Sequence, residues 1–268
     1  MPNSIHLPMI NITPTMRCNL KCKLCGVLVP QYEYRPHMTL EEFDNNLKAI
    51  FEVVDHIGKL QITGGEPLIH TDLPDMIENS FKYKAQFDML WLFTNCAVNA
   101  SPRLIDTLKK HKDKILIHAS DYGVNPGISE KLRSTFEDNS IPYKYLKYYG
   151  DEQYYDGWVD QGDFVKKGRT EEEMAEVFSK CSHVKRAGSW YIRCGQMHWC
   201  GRSIRGTEVG KIPVRAEDYF DIFTGSIEER KERLLSLMKV SHILACDYCN
   251  GEYGTEDKNK RLPAGEQL

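Results

Sequence analysis

Met9-Ile10-Asn11-Ile12, followed by Cys18-Asn19-Leu20-Lys21-Cys22-Lys23-Leu24-Cys25, is the stretch that decides the fold. An apolar, strand-like run delivers the chain into a loop with cysteines at CxxxCxxC spacing. Thiolates so close together wrap one soft metal site from three sides, and such clusters select zinc, copper(I) or iron–sulfur. The spacing matches neither the paired CxxC of zinc ribbons nor the ferredoxin run with its fourth cysteine. His6 precedes the strand and His37 follows a loop, so the local site is three-coordinate. An iron–sulfur cubane held by Cys18, Cys22 and Cys25 leaves one iron open, as catalytic zinc sites keep one position open. An open position points to an enzyme.

Outward from this loop, strand and helix patterns alternate. Thr39-Leu40-Glu41-Glu42 opens a helix with a capping box, and its apolar positions Leu40, Phe43, Leu47, Ile50, Phe51 and Val54 keep helical spacing. Lys59 to Thr63 reads as a strand, Asp72 to Lys84 as a helix and Asp88 to Thr94 as a strand. Ser101-Pro102 starts a helix, with Ser as N-cap and Pro at the first helical position. Lys114 to Ala119 (strand), Gly127 to Asp138 (helix) and Pro142 to Lys147 (strand) complete the series. Such alternation predicts an α/β fold with a parallel sheet and right-handed crossovers.

Ligands of parallel sheets gather at the carboxyl ends of the strands. The chemistry-bearing motifs lie there: the cysteine loop, Gly64-Gly65-Glu66-Pro67, Thr94-Asn95-Cys96 and Ser120-Asp121. Motifs scattered in sequence therefore converge on one rim.

The bulk composition narrows the class. A net charge of −3 leaves no electrostatic footprint for nucleic acid. There is no run of 18 apolar residues, and the N-terminus lacks the layout of a signal peptide, so the expected address is the cytoplasm, away from membranes. The nine cysteines are odd in number and unevenly spaced, which argues against a disulfide framework.

The alternation stops near Gly150. Residues 151–180 read as a linker or lid ending in a helix from Thr170 to Lys180, with a capping box of Thr170 and Glu173. Then come Cys181, a hairpin of Ser189–Arg193 and Met197–Gly201 around Gly195-Gln196, Cys200, a helix from Ser226 to Met238 and the pair Cys246-Asp247-Tyr248-Cys249. Residues 181–253 are expected to form a small second domain, and 254–268 a polar, frayed tail. The aromatic stretch Tyr143, Tyr145, Tyr148, Tyr149, Tyr154, Tyr155 and Trp158 either lines a pocket or packs. Arg193, Arg202 and Arg205 either hold an anionic substrate or form a solvated basic face.

With Cys18, Cys22 and Cys25 at CxxxCxxC spacing and Gly64-Gly65-Glu66-Pro67 beside them, residues 1–150 resemble the radical S-adenosylmethionine (SAM) superfamily. The resemblance implies a partial (β/α) TIM-like barrel and a [4Fe–4S] cluster whose open iron is chelated by SAM. One electron from the cluster then cleaves SAM to a 5′-deoxyadenosyl radical that abstracts hydrogen. It also implies that GGEP binds the SAM amino group, with Glu66 as its negative partner, and that Ser120-Asp121 contact the ribose. Leu24 stands where the family usually has an aromatic residue near adenine, and Asn95 joins the cofactor-binding residues. A structural zinc site is the competing reading of the front cysteines, but it lacks a fourth ligand.

Cys181, Cys200, Cys246 and Cys249 resemble the shortened SPASM module called the twitch domain. The whole layout is similar to the two-cluster dehydrogenases of the 2-deoxy-scyllo-inosamine dehydrogenase type. The implied role is a second [4Fe–4S] cluster with four protein ligands, carrying electrons. A Cys₄ zinc site uses the same residues equally well.

The resemblance implies an oxidoreductase that works anaerobically on a small molecule (a sugar, cyclitol or nucleotide sugar), supplied by a flavodoxin or ferredoxin-type donor. An alternative is epimerisation, with Cys194 or Cys96 as hydrogen donor to the substrate radical. Peptide maturation is a further alternative; the short segment before the first strand is expected to leave no room for a peptide-recognition domain. A non-catalytic iron–sulfur or zinc protein is disfavoured by GGEP. For Cys194 and Cys96, buried packing residues are the plain reading.

Overall fold

The computed structural model describes residues 4–154, 160, 162–185, 188–251 and 262–268. Tyr155 and Trp158 of the aromatic stretch lie outside the described residues. Five strands alternate with four helices through the first half: β1 (His6–Thr15), α1 (Leu40–Val53), β2 (His56–Gly64), α2 (Leu73–Ser80), β3 (Phe87–Thr94), α3 (Pro102–Lys110), β4 (Ile115–Asp121), α4 (Pro126–Asp138) and β5 (Tyr143–Lys147). The capping box at Thr39 and Glu42 forms, as does the Ser101 cap. The helix expected over 72–84 ends earlier, at Ser80, and finishes in a 3₁₀ turn.

The second half adds α5 (Glu171–Lys180), α6 (Ser182–Lys185), β6 (Ser189–Arg193), β7 (Gln196–His198), α7 (Gly201–Glu208), β8 (Tyr219–Asp221) and α8 (Ile227–Leu237). The sheet order is β5-β4-β3-β2-β1-β6-β7-β8. β1 to β6 run parallel, and β7 and β8 are antiparallel. The hairpin expected inside a separate back domain instead continues the main sheet, with Asn11 of β1 opposite Tyr191 of β6. Its turn is Cys194-Gly195, both at positive φ (48° and 75°). That is the backbone of a type I′ turn, whose twist suits a two-residue hairpin.

Strand alternation gives the sheet two unlike faces. One face presents Ile10, Ile12, Leu60, Ile62, Leu90, Leu92, Ile117 and Ala119 to the helices, where they share one core with Phe43, Leu47, Ile50, Met76, Leu108 and Phe136. Burying each such large side chain contributes roughly 1.5–3 kcal/mol. The other face is polar and aromatic. Gln61 lies opposite Trp91, and the Trp91 and Phe93 rings lie 4.3 and 4.6 Å from His118. The helices thus coat one side and leave the opposite side to the site. Among the described residues no helix is long and apolar enough to cross a membrane.

Candidate active site at the carboxyl rim

A cleft of about 530 Å³ opens at the carboxyl ends of β1 to β4. Cys18, Cys22, Leu24 and Cys25 form one wall, and Gly64, Gly65, Asn95, Ser120 and Tyr122 line the sheet side. Phe164 and Arg202 close it from the second half of the chain. The rim read from the sequence therefore exists, and it reaches further along the chain than expected.

The two glycines of GGEP are required by a close approach of backbone to backbone. Gly65 N–H donates to Thr15 O at 2.8 Å, and Glu66 N–H to Arg17 O at 2.9 Å. A Cβ on Gly64 would sit 2.4 Å from Thr15 O, and one on Gly65 2.1 Å from Arg17 O. Any side chain there would push the turn away from the segment that launches the cysteine loop.

Glu66 is placed differently from the expectation that it meets an ammonium group. It is 0% exposed. Its carboxylate accepts the Asn95 N–H at 2.6 Å and the Leu68 N–H at 3.0 Å, with the Thr94 side chain as a further partner. Burial raises its pKa to about 7, against the pull of these bonds. The Gly64-Gly65 turn faces the cleft, and Glu66 holds that turn from behind. Pro67 is buried at the start of the following 3₁₀ turn.

Asp121 also points away. Its carboxylate accepts from Gly123 N–H at 2.8 Å, Tyr145 O–H at 2.9 Å and the Ser129 hydroxyl. Ser120 does line the cleft. Two-residue alternation explains the split, because neighbours in a strand face opposite sides. The same period carries the Ser120 face on to Tyr122, which the sequence reading missed. Tyr122 lines the cleft, bonds Ser120, and stands within electrostatic reach of Cys22 and Cys25. Its ring stacks on Tyr148, so that part of the aromatic stretch packs.

The front thiols receive N–H donors. Cys18 Sγ accepts Leu20 N–H at 3.4 Å and the Asn95 side-chain amide at 3.6 Å, and Cys22 Sγ accepts the Gln267 amide at 3.3 Å. Burial raises the Cys22 pKa to about 11, with Cys25 and Cys18 adding to the rise and the Gln267 bond opposing it. Neighbouring thiols, Cys22 buried and Cys18 and Cys25 half-buried, with N–H donors to Cys18 and Cys22, are the kind of donor set that an iron–sulfur cluster uses. Among the described residues no three His, Cys, Asp or Glu side chains gather tightly enough for a single metal ion. The front residues fit a cubane.

The back cysteines also share one neighbourhood. Cys200, the N-cap of α7, is raised well above the usual thiol range first by burial, then by the charges of Cys181, Cys246 and Cys249. Ser203 N–H donates to Cys200 Sγ and Gly251 N–H to Cys249 Sγ, both at 3.3 Å. Arg169 donates to the carbonyls of Cys246 and Cys249, at 2.5 and 2.7 Å. Arg202 donates to Tyr248 O at 2.7 Å and Gly162 O at 3.0 Å, and its guanidinium lies 3.7 Å from the Phe164 ring centre. Arg202 thus ties the CxxC turn to the wall of the cleft.

Arg193, Arg202 and Arg205 are 4%, 5% and 3% exposed, which excludes a solvated basic face. Arg193 pairs with Glu208, which also accepts from Tyr32 O–H, and Arg205 reaches Gly26 O at 3.3 Å. His198 is a satisfied buried residue, bonded to Ser203 at 2.9 Å. Neither candidate hydrogen donor lines the cleft. Cys96 is 1% exposed and belongs to the core, and Cys194 is exposed at the hairpin tip.

Residues 12–135 match the model of the Radical SAM superfamily. The match includes both the cysteine loop and GGEP. A GTP 3′,8-cyclase of Campylobacter jejuni subsp. doylei is 35% identical over 81 residues, 30% of this chain and 25% of the relative. A probable GTP 3′,8-cyclase of Methanococcus maripaludis is 40% identical over 70 residues, 26% of this chain and 22% of the relative. The chain spans about a quarter of the length of these curated relatives. In fold, the chain is similar to the crystal structure of BtrN in complex with AdoMet and 2-DOIA. The TM-score is 0.55 at 14% identity, covering 91% of this chain and 93% of that one.

Proposed function

We propose that this radical SAM superfamily chain oxidises an alcohol of a small molecule (a sugar, cyclitol or nucleotide sugar), with a second cluster at the back cysteines as electron acceptor. Cys18, Cys22 and Cys25 would hold the first [4Fe–4S] cluster, and Cys181, Cys200, Cys246 and Cys249 the second. When bound, the first cluster supplies the electron that cleaves SAM to a hydrogen-abstracting radical.

The chain's own residues prepare the cleft. Gly64 and Gly65 bring backbone to its edge, while Ser120, Tyr122 and Asn95 offer polar contacts beside the thiols. Leu24, Val27, Leu28, Phe93 and Phe164 supply apolar wall that limits water. Exclusion of water protects a reactive intermediate from side reactions.

One observation carries the oxidative reading. Arg202 lines the cleft and donates to the Tyr248 carbonyl between Cys246 and Cys249, which supports a link between the CxxC turn and the cleft. The likeness to BtrN across nearly the whole chain also supports a cleft for SAM and one small molecule. The cyclase relatives match only a front segment and so do not name this chain's substrate. The placement of Cys96 and Cys194 outside the cleft wall weighs against epimerisation.

The test is isotopic. Anaerobic turnover of a candidate cyclitol or sugar in deuterated water should give a product lighter by a pair of hydrogens. An inverted product carrying one solvent deuterium on carbon would overturn the proposal.

A further inference from the structure

Residues 264–268 return to the front cysteine loop and pair with it. Leu268 N–H donates to Lys21 O at 2.8 Å, and Lys23 N–H donates to Glu266 O at 2.7 Å. These bonds flank an antiparallel bridge between Cys22 and Gln267. In such a pair the two side chains project from the same side and stand close together. Gln267 therefore meets Cys22 because of main-chain register.

We propose that residues 264–268 are a strap that locks the cluster loop, and that Gln267 is a positioning residue for the Cys22 sulfur. The inference rests on the radical SAM reading, because it assigns Gln267 a role toward the cluster those cysteines would hold.

The amide can sit only one way round. Its oxygen accepts the Lys21 N–H at 2.8 Å, so its nitrogen is left to donate to Cys22 Sγ at 3.3 Å and to Gly265 O. Reversing it would set N–H against N–H. The strap is anchored at three further points. Ala264 N–H donates to Gln153 O at 2.8 Å, Lys23 pairs with Glu266 at 3.5 Å, and Gly265 packs beside the Tyr122 side chain. A Cβ on Gly265 would stand 2.3 Å from Tyr122 Cδ1. The strap thus contacts both a cluster cysteine and the phenol that lines the cleft.

Two effects follow. An N–H donor at a cysteine sulfur favours the more negative, reduced cluster and raises its potential. A paired loop opens less often, which slows loss of iron.

The experiment uses the full chain, anaerobically reconstituted, as wild type, Gln267→Leu and Gln267→Glu. An EPR-monitored redox titration reads the potential of the cluster whose signal responds to SAM. A ferrous chelator reads the rate of iron release. Both variants lose the donor to sulfur, so both should shift to more negative potential. Gln267→Glu keeps the acceptor for Lys21 N–H but not the donor to Gly265 O, so it should release iron more slowly than Gln267→Leu, which should release it several-fold faster than wild type. An unchanged potential in both variants would overturn the sulfur role. Unchanged iron release in Gln267→Leu would overturn the lock. Either result, with dithionite-driven 5′-deoxyadenosine formation intact, would leave the proposed function standing. A wild type that cannot form 5′-deoxyadenosine would remove the proposed function instead.

Discussion

Glu66 accepts the Asn95 backbone N–H at 2.6 Å, joining the turn after β2 to the turn after β3 from inside the protein. Glu66→Gln keeps one acceptor but turns an NH₂ against one of two backbone donors. A buried donor left unpaired costs about 1–3 kcal/mol, so thermal denaturation should show a melting point lower by several degrees. A variant as stable as wild type would mean that the carboxylate does not hold the rim.

The same carboxyl group sets a pH dependence. Burial raises its pKa from the ordinary 4.5 to about 7, so the folded state binds the proton more tightly than the unfolded state. Its contribution to stability is full below the ordinary glutamate range and falls as pH rises through about 7. Between these limits the stability advantage of wild type over Glu66→Gln should shrink with rising pH. Denaturant titrations of both proteins across that range check the slope, and parallel profiles would contradict it.

The first five strands and the rim were legible because alternation and capping residues are local signals. Thr39 with Glu42, Ser101 with Pro102 and Thr170 with Glu173 mark helix starts that the structure keeps. The pairing of β6 with β1 was not legible, because it joins residues about 180 positions apart and leaves no periodic trace. Helix α7 was missed because Gly201 and Gly206 interrupt it and its buried face carries Arg202 and Arg205 rather than aliphatic residues. Residues 254–268 read as a frayed tail on polarity alone, yet among the described residues 262–268 Gln267 bonds a sulfur and a main-chain N–H. Asp121 and Glu66 look like ligand contacts in the sequence because it does not show which acidic groups already have internal donors.

Arg202 should matter for the back site more than for the front. Arg202→Met removes donors to Tyr248 O and Gly162 O while keeping apolar bulk beside Phe164. Hydrogen bonds from a charged group contribute about 1.5–3 kcal/mol each, so the CxxC turn should loosen. Reconstituted Arg202→Met should lose iron from the back cysteines and still cleave SAM. Full iron loading with wild-type stability would rule out the tie.

Gly265→Val tests the strap by a route that leaves Gln267 in place. The new side chain collides with the Tyr122 ring, at a position whose φ of +65° already disfavours it. Iron release from the front cluster should quicken, and exchange of the Lys23 amide should rise. A variant with wild-type release and exchange would show that the loop is held without the strap.

On the proposed function, the front thiols hold a SAM-cleaving cluster and the back thiols an electron-accepting one. Iron counting on anaerobically reconstituted protein, paired with dithionite-dependent 5′-deoxyadenosine formation, tests both at once. About eight irons per chain are expected, four for each cubane. A Cys181→Ala, Cys246→Ala protein should fall to about half that iron and still form 5′-deoxyadenosine. Zinc at the back cysteines, or no SAM cleavage by a fully loaded front site, would contradict it.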